Sequence, residues 1–95
     1  MFIVLLRFAT NRSKTGQFMD GHKAWLKRGF DDGVFVLAGS LQPNLGGAIL
    51  ARDISLPLLQ SRVNDDPFVA ENVVGAEILE IAPSRADDRL SFLFS

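Results

Sequence analysis

The sequence predicts a single α+β domain in which four strands form one sheet and two helices cover one of its faces, in the order β-α-β-β-α-β. Three observations carry this expectation. Short runs rich in branched and aromatic residues recur at Phe2–Phe8 and at residues 34–40, 48–52 and 73–81, which is the length and composition of strands. Between the first two runs, and again between the last two, the apolar residues change to helical spacing. The chain is 95 residues long, enough for one core, with roughly 60–65% of the unfolded surface buried.

Each element has a local cause. The first strand ends at Thr10-Asn11-Arg12-Ser13, a polar turn signal. From 17 to 30, Phe18, His22, Trp25, Leu26, Gly29 and Phe30 share one helical stripe, which leaves Asp20, Lys23, Lys27 and Arg28 towards water. Gly21 inside that helix costs about 1 kcal/mol against alanine, so close approach of another element is expected there. Asp31-Asp32-Gly33 closes the helix, with Gly33 suited to the left-handed position past its end.

The run at 34–40 is almost continuously apolar, and the turn formers Gln42-Pro43-Asn44-Leu45-Gly46-Gly47 make the loop before the third strand. Asp53 or Ser55 can cap the second helix, Pro57 suits its first turn, and Leu56, Leu59 and Val63 lie on one face. Asn64-Asp65-Asp66-Pro67 interrupts it. A residue before proline avoids the α region, so Asp66 is expected to be extended, with one more helical turn from Pro67 to 72 ahead of the last strand.

Composition narrows the function. With 10 Lys and Arg against 11 Asp and Glu the formal charge is -1, so the broad basic field of a nucleic-acid binder is absent. There is no cysteine, which excludes disulfides, Cys-ligated zinc and a thiol nucleophile, and agrees with a reducing cytoplasm. A single histidine and scattered carboxylates with no thiol give poor spacing for zinc, so no metal site is expected. The apolar start, Met1 to Arg7, is too short to cross a membrane and lacks signal-peptide features, so a strand is expected.

A sheet covered on one face only exposes apolar side chains on the other, and a second copy around a two-fold axis is the simplest cover. A homodimer is therefore expected, the alternative being a monomer whose tail covers the sheet. Residues 1–82 form the domain. The tail, 83–95, ends Leu90-Ser91-Phe92-Leu93-Phe94-Ser95 and is expected to dock on its own domain or on the partner.

His22, the only histidine, sits on the apolar stripe and so points at the sheet. It reads as a general acid or base with Asp66 as its orienting partner, or as a satisfied core residue. Ser40, at a strand end after Gly39, reads as a hydrogen bond to substrate or as a plain strand-end serine. Arg7 pairs with a substrate carboxylate or with Asp66, or alternation sends it to the strand edge. Trp25 and Phe68 are core residues that could also wall a cleft for a flat ligand. Gly46-Gly47 precedes a strand rather than a helix, which argues against a phosphate loop.

The histidine in the first helix, Ala38-Gly39-Ser40-Leu41 ending the second strand and Asp66-Pro67-Phe68 after the second helix together resemble the YCII-related family over residues 1–81. The resemblance implies a ferredoxin-like βαββαβ fold with one antiparallel four-stranded sheet and dimers of the dimeric α/β barrel type. It also implies a His22-Asp66 active-site pair, and lyase, isomerase or dehalogenase-like chemistry on small ring compounds without metal or organic cofactor.

Overall fold

The computed structural model describes residues 1–94; Ser95, the last residue of the expected tail, lies outside them. The strands are β1 (Phe2–Phe8), β2 (Phe35–Leu41), β3 (Gly46–Ala51) and β4 (Val74–Glu80), and the helices are α1 (Thr15–Asp31), α2 (Leu56–Asn64) and the single turn α3 (Pro67–Ala70). Short 3-10 segments at Arg12–Lys14 and Asp88–Phe94 complete the chain. The sheet order is β2-β3-β1-β4 with every neighbouring pair antiparallel, which is the ferredoxin-like arrangement.

Period-two alternation decides which side chains meet the helices. On β1, Phe2, Val4 and Leu6 are buried, whereas Ile3 and Leu5 are partly covered and Arg7 is exposed on the opposite face. The core joins the first set to Trp25, Phe35, Ile49, Leu59, Val63, Phe68 and Val73. At Gly29 a side chain would run into the Phe35 ring, so this glycine lets β2 pack directly on α1. A Cβ at Gly21 would lie 3.1 Å from Pro67, so the expected close approach is made by α3.

Helix ends follow their local chemistry. Ser55, not Asp53, caps α2, its hydroxyl accepting from the Leu58 amide at 3.3 Å. Asp66 is extended at φ -64°, ψ 122° and caps α3 through the Phe68 amide. Gly33 takes φ 72° beyond α1.

Two sequence expectations are corrected. Gly46 and Gly47 belong to β3 rather than to a loop, because Gly46 adopts φ 131° and the Leu6 carbonyl approaches too closely for any Cβ. Phe30 is 43% exposed, and Met19 instead packs on the core, because the stripe drifts around α1 towards its N-terminal end.

The face away from the helices carries Ile3, Leu5, Leu37, Leu50 and Leu79, of which Leu37 is 66% exposed. Past β4, the Ile81 amide donates to the Met1 carbonyl at 2.9 Å. The tail then brings the Phe92 ring to 5.4 Å from the Arg52 guanidinium, at the Phe2 and Ala51 end of the sheet. Arg89 holds the Asp87 carboxyl below its usual range through side-chain and backbone hydrogen bonds. Leu90, Phe92 and Phe94 stay largely exposed.

Candidate active site

A cavity of about 360 Å³ opens between α1 and the end of the sheet where β1 finishes and β3 begins. Leu6 and Phe8 of β1, Met19 and Leu26 of α1, Ile49 of β3 and Phe68 of α3 give it apolar walls. His22, Lys23, Thr15 and Ser40 are its polar side chains.

His22 is held from three directions. Its ring stacks on Phe68 at 4.1 Å between centroids and 8° between planes, and more loosely on Trp25 at 5.7 Å. Its Nδ1 lies 2.9 Å from Asp66 Oδ1. That same oxygen accepts the Phe68 amide at 3.0 Å, so it is an acceptor and the hydrogen is on Nδ1. Among the described residues Nε2 has no protein partner, and the ring borders the cavity.

The local sequence explains this placement. Pro67 keeps Asp66 out of helix and presses on α1 at Gly21, one residue before His22, so one dipeptide supplies both the carboxylate and the contact that aligns it. Asp66 is fully buried, and its Oδ2 has no partner among the described residues. A buried polar atom left without a hydrogen bond costs about 1–3 kcal/mol, a cost often retained at functional positions.

The other expected site residues divide. Ser40 shares the cavity with His22, on the helix-covered side of β2 opposite Gly47, and Phe68 forms its wall. Trp25 is only 2% exposed and does not line the cavity; its indole donates to the Arg62 carbonyl at 2.8 Å, so it locks α1 to α2 behind His22. Arg7 does not pair with Asp66: alternation on β1 turns it to the helix-free face, where Nη1 donates to Glu77 Oε1 at 2.9 Å. Lys23, Thr15 and Met19 were missed. Helical spacing alone sends Lys23 to water, and only the way α1 crosses the sheet end brings it to the cavity.

No family model matches this chain, and no curated protein matches it. A solved structure does share its fold: 5-chloro-2-hydroxyhydroquinone dehydrochlorinase from Burkholderia phenoliruptrix AC1100, in complex with 2,5-dihydroxybenzoquinone. The two agree with a TM-score of 0.70 at 14% identity, over 88% of this chain and 96% of the other. At that identity the likeness shows the fold alone, the ferredoxin-like arrangement of one four-stranded sheet with its helices. Among the described residues no helix is long and apolar enough to cross a membrane.

Proposed function

We propose that this chain is a cytoplasmic, homodimeric enzyme of the YCII-related type that performs proton-transfer chemistry on a small hydroxylated ring compound, with His22 as general base and acid. The carrying observation is the single hydrogen bond from His22 Nδ1 to buried Asp66, which leaves Nε2 as the free nitrogen beside an apolar cavity. Asp66 fixes the tautomer and orients the ring.

The reaction class is isomerisation or elimination. Nε2 takes a proton from a ring hydroxyl or carbon, and the freed electron pair becomes a new double bond. In an elimination the carbon–halogen electron pair departs with the halide, and in an isomerisation the proton returns to a different carbon. Neither needs a metal or organic cofactor. The dehydrochlorinase with the same fold acts, by its name, on a chlorinated hydroquinone, which supports this class. Ser40 hydrogen-bonds the polar end of the ring, and Phe68 contributes the flat wall.

A second reading makes the His22–Asp66 bond a tie between α1 and α3 in a binding module without turnover, and the cap that Asp66 gives α3 favours it. Halide release separates the two. Chlorohydroquinones incubated with the protein should release chloride, and His22→Gln should abolish the release while keeping the circular dichroism of the parent. Thermal stabilisation by these compounds without turnover in the parent would support the binding module.

The apolar open face is proposed as the dimer interface, since Leu37 and Leu79 would otherwise remain in water. Light scattering should give twice the 10.4 kDa chain mass.

A further inference from the structure

Lys23 follows His22 directly on α1 and lines the same cavity. Its ammonium makes no hydrogen bond or ion pair among the described residues, and neither does Asp20, one turn earlier on the helix. Arg12 adds a second cation nearby: its guanidinium lies 4.1 Å over the Phe8 ring, whose side chain walls the cavity, and Nη2 donates to the Asn44 carbonyl at 3.4 Å.

Among the described residues no Asp or Glu lines the cavity. Asp66 is fully buried behind His22, with Oδ1 committed to His22 and to the Phe68 amide, and Asp20, next to Met19 on α1, is not among the lining residues. The chain as a whole carries a formal charge of -1, so the positive rim is a local feature of the cleft and not a general property of the surface. A cation kept unpaired at the edge of an apolar pocket favours anions, because the low-dielectric walls weaken solvent screening there.

We infer that Lys23 is a specificity-determining residue that selects ring compounds bearing a negative charge, a carboxylate or a phenolate. The anion meets Lys23 at the rim, the ring lies among Leu6, Met19 and Phe68, and the opposite end of the ring reaches His22. This rests on the reading of the cleft as a site for small rings. Lysine acts here as a point charge on a flexible stem, so arginine can replace it and glutamine cannot.

Benzoate and its neutral isostere benzamide form the test. Amide chemical shifts of the full chain are followed by NMR during titration with each, at low salt, for the parent, Lys23→Gln and Lys23→Arg. Lys23 is exposed, so both variants keep the fold. In the parent, benzoate should bind about fivefold to tenfold more tightly than benzamide, with shifts at Leu6, Ser40 and Phe68, and 0.5 M salt should erode the preference. Lys23→Gln should bind the two equally, and Lys23→Arg should retain the preference. Equal binding of both probes by the parent, or an undiminished preference in Lys23→Gln, overturns the role of Lys23 and leaves the ring-binding cleft standing. If neither probe shifts the cavity amides, the ring-binding reading fails and the role of Lys23 fails with it.

Discussion

Two acid–base pairs lie on opposite sides of one sheet with the same separation and very different surroundings. Arg7 and Glu77 are 2.9 Å apart on the open face, and their side chains are 58% and 54% exposed. His22 and Asp66 are also 2.9 Å apart, but beneath α1, with side chains 14% and 0% exposed. Water screens the first pair to about 0–1 kcal/mol. For the second, removing one partner leaves a desolvated polar group without its hydrogen bond, at a cost of about 1–3 kcal/mol. Distance alone therefore says nothing about which pair matters; burial, and the unpartnered Oδ2 that accompanies it, marks His22–Asp66 as the costly arrangement.

Substitutions can break this contrast at either end. The largest expected effect is on turnover: His22→Gln should lower the rate by about 10²–10⁴, the usual contribution of a positioned acid–base group, measured as chloride release. Asp66→Ala should come next, lowering unfolding free energy by about 2–4 kcal/mol in urea titration, because the α3 cap and the bond to His22 go together. Asp66→Asn keeps an oxygen for both donors and should stay within about 1 kcal/mol of the parent, while turnover falls at least tenfold for want of the carboxylate charge.

The open face gives the smaller effects. Leu37→Asp places a charge on the proposed interface and should shift the species seen by light scattering from twice the 10.4 kDa chain mass to the single chain. Arg7→Ala should change stability by less than about 1 kcal/mol and leave turnover as it was. A large loss of turnover on removing Arg7 would mean that the two faces are coupled through the partner subunit.

The contrast was partly legible in the sequence. Element order followed from periodicity because each strand run and helical stripe is bounded by its own turn chemistry, and Pro67 announced the extended Asp66 that reaches His22. The side of the sheet taken by Arg7 was not legible. Alternation gives two equivalent faces, and only the packing of Phe2, Val4 and Leu6 against the helices decides between them. Trp25 carried an apolar ring and a polar N–H, either of which suits a cleft; that the Arg62 carbonyl takes the N–H depends on how α2 crosses α1. Lys23 failed to stand out for the same kind of reason, since a helical wheel has no sheet edge in it. Gly46 and Gly47 looked like a loop because turn composition cannot distinguish a bend from a strand that must pass close to a neighbouring carbonyl.

The central claim is that Asp66 fixes His22 with its hydrogen on Nδ1 and turns Nε2 to the ligand. Long-range ¹H–¹⁵N NMR of the neutral imidazole reads this directly. The account expects the Nδ1–H tautomer in the parent, a mixture of tautomers in Asp66→Ala, and a shift of the Nε2 resonance on addition of hydroquinone. An Nε2–H tautomer in the parent, unchanged by removal of the carboxylate and by hydroquinone, would contradict it.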